Sequence, residues 1–415
     1  MSNMPVAGRD DKDAGRRLGA MLALGFASGL PLALTSGTLQ AWLTVEGIDV
    51  RTIGLFALVG LPYTFKFLWS PVMDRYNLPW LSRRRDWMLL TQAGLVAVIA
   101  LMAFWTPARG VTAVASLAVL VALLSASQDV VYDAYRADAL RPAERGLGTG
   151  LSVSGYRIAM LVSGALALVL AAEFGWRDTY LLMAALMLFG AGATLWAPAV
   201  GQVAQPPRDL VAAVIEPFAQ FLRRERAPAL LGLIVLYKLG DACAGSLTTT
   251  FLIRELGFTI AEVGVINKGA GLAATLIGAL AGGVLMTRLK LYRALLLFGI
   301  LQAVTNLGFF TLTLIGKSYA GMTAVVVLEN LAGGMGTSAF VALLMALCDR
   351  RYSATQYALL SALAALGRVL VGAPSGYAVA AWGWGAFFLL TVLLALPALG
   401  LLRMLRRVVS IAEAR

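Results

Sequence analysis

Two aspartates one helical turn apart, Asp129 and Asp133, follow an uncharged apolar run that covers residues 111–124. A charged side chain this deep in a membrane-length segment costs about 2.5–3.5 kcal/mol on insertion scales, so it requires a partner or a function. On a helix, residues four apart share a face, which places both acids beside Ser125 and Arg136. We therefore expect this face to be turned away from lipid.

Proton transfer is the chemistry that such acids can perform. The chain has no histidine, so a proton carrier must be a carboxylate. The candidates are Asp129, Asp133 and Glu329, because an acid in an intermittently hydrated site can take up a proton on one side and release it on the other. The alternative is that Asp129 and Glu329 only form structural ion pairs with basic residues of other spans.

Further ionisable residues lie inside apolar segments: Lys66, Arg157, Lys238, Asp241, Lys268 and Arg368. Lys238 and Asp241 are three residues apart and could simply neutralise each other. No acid cluster has the spacing of a metal site, so we expect no metal and no cofactor, and this also argues against an intramembrane enzyme such as a lipid or glycan transferase.

The elements that must position these residues are membrane helices. The 415 residues are 60% hydrophobic and 13% charged, with a mean hydropathy of +0.80. Apolar runs of about 20 residues recur along the chain, which is typical of an all-α polytopic membrane protein. We expect about twelve spans, near residues 18–43, 52–73, 88–106, 112–135, 148–172, 178–197, 229–253, 260–286, 293–315, 320–346, 355–381 and 384–402.

The net charge of +12 follows from the orientation of these spans. Most of the arginines and lysines fall in alternate loops and in the two tails, which places both termini in the cytoplasm by the positive-inside rule. The basic charge therefore gives no reason to expect a nucleic-acid partner. The expected environment is a lipid bilayer, and a monomer is the expected state.

The two halves of the chain carry related segments. A loop with Asp74 and Arg75 followed by an arginine cluster has a looser copy after the eighth span, and residues 155–157 are echoed at 366–368. A correspondence at a six-span offset predicts two homologous bundles. We place the first bundle at 1–200, a cytoplasmic linker at 201–228 and the second bundle at 229–415.

The loop that contains Asp74 and Arg75 resembles the gating loop between the second and third helices of the major facilitator superfamily. Segments 25–35, 37–42, 65–75, 125–135 and 155–157 resemble the AmpG family of muropeptide permeases. The resemblance implies the major facilitator superfamily fold, with two six-helix bundles that rock about a central site. It also implies proton-coupled symport of anhydromuropeptides across the bacterial inner membrane for peptidoglycan recycling, with an indirect effect on β-lactam resistance.

The resemblance implies functional roles for Lys66, Gln128, Asp129, Asp133 and Arg157. A cavity for an amphiphilic, carboxylate-bearing substrate would add aromatic, hydroxyl and charged side chains. These are Thr35, Gln40, Tyr132, Tyr156, Tyr237, Lys238, Asp241 and Arg368. The alternatives are a transporter of another anionic conjugate and a drug–proton antiporter.

Overall fold

The structure is a computed structural model, and it describes residues 7–70, 73, 81–141, 144–199, 220–223, 226–348 and 353–413. The described residues form helices and contain no strand. The helices have these bounds: α1 Ala7–Leu34, α2 Gly37–Val45, α3 Val50–Leu55, α4 Leu61–Phe65, α5 Arg83–Met102, α6 Pro107–Ala139, α7 Arg145–Met160, α8 Ala167–Trp196, α9 Ala227–Leu236, α10 Leu239–Thr250, α11 Ile260–Val263, α12 Gly271–Met286, α13 Leu291–Ile315, α14 Tyr319–Ala346, α15 Ser353–Leu393, α16 Ala395–Met404 and α17 Arg406–Glu413.

Short turns of other helical types connect several of these elements. The 3₁₀ turns are Phe56–Gly60 and Lys66–Leu68, and the π-helical turns are Leu161–Leu166, Phe251–Glu255 and Gly264–Ala270. π-helical turns inside helices are frequent at functional sites. Here one begins at Leu161, one helical turn after Arg157, and another contains Lys268.

Nine helical segments of the described residues are long and apolar enough to cross a membrane. Two of them, Gly150–Trp196 and Leu359–Met404, are 47 and 46 residues long, about twice the length that one crossing requires. Each is interrupted by a left-handed glycine, Gly175 with φ 83° and Gly383 with φ 77°. Divided at these glycines, and with the shorter apolar helix Val50–Phe65 included, the described chain agrees with the expected number of about twelve.

The chain divides into two compact units. The first consists of Met1–Trp42 and Phe65–Pro206, and the second of Leu43–Thr64 and Pro207–Arg415. The sequence analysis placed residues 43–64 in the first bundle, whereas their contacts group them with the second unit. Most of the expected linker at 201–228 lies outside the described residues, so the bundle boundaries stay a prediction.

Within each unit, glycines allow two helices to approach closely. In the first unit a Cβ atom on Gly155 of α7 would overlap the carbonyl oxygen of Leu22 on α1. In the second unit a Cβ atom on Gly278 of α12 would overlap the carbonyl oxygen of Leu331 on α14. Small residues bring membrane helices together because lipid gives little hydrophobic force for their association. These contacts fix the spacing of the helices that carry the charged side chains.

Candidate functional site

The candidate site of the first unit is centred on Asp129, on α6. Ser28 of α1 donates a hydrogen bond of 2.5 Å to Asp129 Oδ1. Lys66 Nζ, in the 3₁₀ turn after α4, lies 4.0 Å from Asp129 Oδ2. The aspartate side chain is 15% exposed and the lysine side chain 33% exposed. Three separate segments therefore converge on one carboxylate, and its cationic partner is partly exposed.

Asp133 has a different environment, although it lies one turn further along the same helix. Its carboxylate lies 3.0 Å from the guanidinium of Arg136, and 54% of its side chain is exposed. Arg136 also donates to Ser152 Oγ at 3.1 Å and lies 5.8 Å from the ring centre of Tyr132. The structure thus brings Asp129, and not Asp133, together with Lys66.

Polar side chains of α6 surround this site. The Tyr132 hydroxyl lies within hydrogen-bonding distance of Ser152 Oγ at 2.6 Å and of the Met21 carbonyl at 2.9 Å. Gln128 and Ser125 are buried, and their side-chain oxygens have no hydrogen-bond partner among the described residues. Buried polar atoms normally have partners, so these two oxygens are exceptions among the described residues.

Arg157 is a cation of this unit that has no carboxylate partner within the described part of the chain. Its hydrogen-bond contact there is Met160 Sδ, at 3.7 Å, and the side chain is half-buried. Tyr156 and Gln40 are half-buried as well. Thr35 is buried, and its hydroxyl donates to carbonyls of its own helix at 3.2–3.3 Å, so its geometry offers no free donor to a substrate.

The second unit contains a closed ion pair near the start of α10. Lys238 Nζ lies 2.5 Å from Asp241 Oδ2, and it also donates to Gln302 Oε1 at 2.6 Å and to the Gly333 carbonyl at 3.3 Å. Both charged side chains are almost fully buried. This geometry fits the alternative that the pair is structural. Asp241 Oδ1 is the exception, since no partner for this buried atom occurs among the described residues.

Gln302 and the neighbouring Asn306 were not predicted as part of this site. Both lie on α13 and are buried, and neither amide atom of Asn306 has a partner within the described ranges. The ninth span has no charged residue between 294 and 316, so an analysis based on charge passed over it. Two amides one turn apart in an apolar helix were the available signal.

The remaining predicted residues of the second unit form no ion pair with another described residue. Glu329, on α14, is half-buried and accepts a hydrogen bond of 2.8 Å from Asn330 Nδ2. Arg368, on α15, is exposed and has no hydrogen-bond or ion-pair partner in the described chain. Tyr237 donates to the Leu295 carbonyl at 2.9 Å and stacks on Phe340 with ring centres 5.5 Å apart, which is a packing role.

Asp74 and Arg75, the predicted gating loop, lie outside the described residues. Among the described residues no group of three or more His, Cys, Asp and Glu side chains has the arrangement of a metal site.

Comparison with known proteins gives the family. The model of the Major Facilitator Superfamily matches residues 21–372. The chain is 56% identical over 392 residues to the anhydromuropeptide permease of Escherichia coli, covering 94% of this chain and 80% of that relative. The chain belongs to the AmpG family, within the major facilitator superfamily. A putative transporter AmpG 4 of Rickettsia felis is 36% identical over 408 residues, 95% of this chain and 98% of that protein.

Solved structures confirm the fold expected of an AmpG-family chain. A POT family transporter in complex with 5-aminolevulinic acid matches with a TM-score of 0.76 and 12% identity, over 95% of this chain and 96% of that one. The nucleoside transporter NupG matches with a TM-score of 0.73 and 14% identity, over 93% and 99%. The predicted family and the predicted all-α transporter fold are thus confirmed, and this AmpG-family chain is a multi-pass membrane protein.

Proposed function

We propose that the chain is a proton-coupled secondary transporter that imports anhydromuropeptides, GlcNAc-anhydroMurNAc peptides, for peptidoglycan recycling. The E. coli relative is named an anhydromuropeptide permease, and 56% identity over 94% of this chain supports the same substrate class. The expected location is the bacterial inner membrane, with both termini in the cytoplasm and the protein acting as a monomer. No catalytic step is part of the proposal.

The observation that carries proton coupling is the environment of Asp129. This carboxylate, inside a membrane helix, accepts a hydrogen bond from one hydroxyl, and a lysine lies at the limit of ion-pair distance from it. Such a carboxylate can bind a proton without breaking a closed ion pair, because Lys66 Nζ lies 4.0 Å away and its side chain is partly exposed. Asp129 would take a proton from the outside and release it to the cytoplasm, and Lys66 would compensate its charge between these steps. Glu329 is the alternative carrier.

Two cations with no carboxylate partner among the described residues are the proposed binding sites for substrate carboxylates. Arg157 and Arg368 both carry guanidinium groups that no described acid neutralises. Arginine binds carboxylates with two parallel hydrogen bonds, which gives both affinity and orientation. Lys238 was predicted for the same role, but it is engaged by Asp241 and Gln302. We therefore assign the substrate carboxylates to the two arginines before the lysine.

The test is uptake of labelled anhydromuropeptide into proteoliposomes with an imposed inward proton gradient. Wild-type protein should accumulate substrate against its concentration gradient. Asp129→Asn should lose this accumulation and keep exchange of labelled for unlabelled substrate. Asp178→Asn, which neutralises an exposed aspartate outside the site, is the matched control and should behave as wild type.

Each outcome decides a different part of the proposal. If folded wild-type protein shows no gradient-stimulated uptake, proton-coupled import of this substrate is wrong. Inward proton movement coupled to efflux of a drug would favour the antiporter instead. If Asp129→Asn accumulates substrate like wild type, Asp129 is not the carrier, and Glu329→Gln becomes the next variant to examine.

A further inference from the structure

A cavity lies in the first unit, and none of the candidate transport-site residues lines it. It has a volume of about 630 Å³ and is lined by α1, α7 and the second half of α8. Its walls are almost wholly apolar, with Phe26 and Ile158 among them. Leu22 is 38% exposed and Phe189 is 57% exposed, so the cavity is an open groove. Neither Asp129 nor Arg157 lines it.

One end of this groove carries an arginine. Trp196 lines the groove, and its carbonyl accepts a hydrogen bond of 2.7 Å from Arg16 Nε. Gly19, one turn after Arg16, also lines the groove and lies directly under the Trp196 ring. Arg16 is exposed, and its two terminal amino groups have no partner among the described residues. At the end of the apolar groove, the guanidinium group of Arg16 therefore offers two amino groups that no described residue binds.

The chemistry of this end matches a lipid headgroup. Arginine forms paired hydrogen bonds with phosphate, and tryptophan is enriched at the membrane–water interface. Basic sites beside transmembrane helices on the cytoplasmic side bind anionic headgroups. Under the proposed topology, Arg16 lies on that side, just before the first span. A volume of about 630 Å³ also falls in the range of about 300–1,000 Å³ that is typical of small-molecule sites.

We propose that this groove binds an anionic phospholipid, with an acyl chain between α1, α7 and α8 and the headgroup phosphate held by Arg16. A second copy of this chain is a poorer occupant. It would have to present an acid to Arg16, whereas the chain carries 34 basic and 22 acidic residues and its N-terminal and cytoplasmic segments are rich in arginine. Binding of this lipid does not depend on which substrate the protein transports.

The test is native mass spectrometry of the purified full-length protein with phosphatidylglycerol, and with phosphatidylethanolamine of the same acyl chains. Wild-type protein should retain more phosphatidylglycerol. Arg16→Gln should weaken phosphatidylglycerol binding about fivefold, from the roughly 1 kcal/mol that one basic residue contributes near an anionic surface, and leave phosphatidylethanolamine unchanged. Arg109→Gln, at an exposed arginine between the third and fourth spans, is the matched control.

A second pair of variants tests the acyl-chain part of the groove. Gly192 lines the groove, and its Cβ position is open, so Gly192→Leu should fill the groove and reduce binding of both lipids. Gly400 has the same open space in the last span, away from the groove, and Gly400→Leu should bind lipid like wild type. Size-exclusion chromatography of each variant shows whether it is folded.

Three results would overturn the inference. The first is that wild-type protein and Arg16→Gln both retain the two lipids equally. The second is that Gly192→Leu and Gly400→Leu bind lipid equally. The third is that wild-type protein is a dimer and Gly192→Leu converts it to a monomer. The last result would assign the groove to a second copy of the chain. Because Arg16 is exposed, its variant remains informative even if Gly192→Leu does not fold.

Discussion

The described residues include two lysine–aspartate pairs inside the spans, and their geometry predicts different contributions to stability. Lys238 and Asp241 lie 2.5 Å apart, with 11% and 12% of their side chains exposed. Removing one partner of such a buried pair costs about 3–5 kcal/mol, because the other charge is left without compensation. Lys66 and Asp129 lie 4.0 Å apart, and Lys66 is 33% exposed.

The coupling energy of the second pair follows from this distance and exposure. Two unit charges 4 Å apart attract by about 1 kcal/mol in water and about 4 kcal/mol at an effective dielectric constant of 20. A third of Lys66 is exposed, so screening by solvent places the Lys66–Asp129 coupling near the lower figure, at about 1 kcal/mol. We therefore expect the closed pair to stabilise the fold and the open pair to remain available for transport.

Double-mutant cycles measure both coupling energies. The variants are Lys66→Gln, Asp129→Asn and their combination, and Lys238→Gln, Asp241→Asn and their combination. Thermal unfolding in one detergent gives the stability of each protein. Lys238→Gln should lower the unfolding temperature strongly, and Asp241→Asn added to it should restore most of the loss. Lys66→Gln and Asp129→Asn should change stability little and abolish gradient-driven accumulation.

Two outcomes of these cycles would contradict the roles given to the two pairs. If the Lys66–Asp129 cycle gives a coupling energy as large as that of Lys238–Asp241, then the pair around Asp129 is structural. Loss of uptake in Asp129→Asn would then report a damaged fold, and the assignment of Asp129 as proton carrier would be withdrawn. A Lys238–Asp241 coupling near zero would contradict the structural role of the closed pair in the same way.

Two further predictions concern stability. Hydrogen bonds from Arg17 lower the pKa of Glu144 below its ordinary value of about 4.3. A lowered folded-state pKa stabilises the fold at neutral pH, and this contribution is lost as the pH falls through that pKa. Glu144→Gln should therefore flatten the fall in unfolding temperature below about pH 4.3, and an unchanged pH profile would contradict this. Gly155→Ala should destabilise the first unit by about 1–3 kcal/mol, because its methyl group would meet the Leu22 carbonyl. Gly150→Ala on the same helix, where the space is open, should be neutral or stabilise the unit by up to about 1 kcal/mol. Equal unfolding temperatures for the two variants would show that α1 and α7 do not pack as closely as described.

The fold was predictable because its signals are local. Uninterrupted apolar runs identified the spans, and the cost of a charge in lipid singled out Asp129. The division of two long helices at Gly175 and Gly383 agrees with the expected pairs of spans on either side of each glycine. The cost of burying charge pointed to Asp129, Lys238 and Asp241, which the structure places in polar clusters, whereas Arg368 is exposed and has no partner in the described chain.

The parts that were missed depend on neutral side chains and on neighbours distant in sequence. Gln302 binds Lys238 across 64 residues, and Asn306 lies buried one turn further along. The sequence around an amide residue does not indicate which helix its side chain will contact. Thr35 shows the opposite error, since a hydroxyl in a membrane helix can bond to its own backbone. A hydroxyl therefore predicts a polar environment less reliably than a charge does.

The choice between Asp129 and Asp133 shows where sequence reasoning ends. Both acids occupy one face of α6 and follow the same apolar run, so no local property separates them. The difference comes from α1, where Ser28 lies 101 positions before Asp129 and donates to it, while Asp133 turns to Arg136 in the next turn of its own helix. An acid that is neutralised by its own helix carries its partner along when the helix moves. An acid held by two other segments changes its environment when those segments shift, and this dependence is the property that a coupling site requires. The packing of α1 and Lys66 around α6 is therefore the reason why we propose Asp129, rather than Asp133, as the site of coupling.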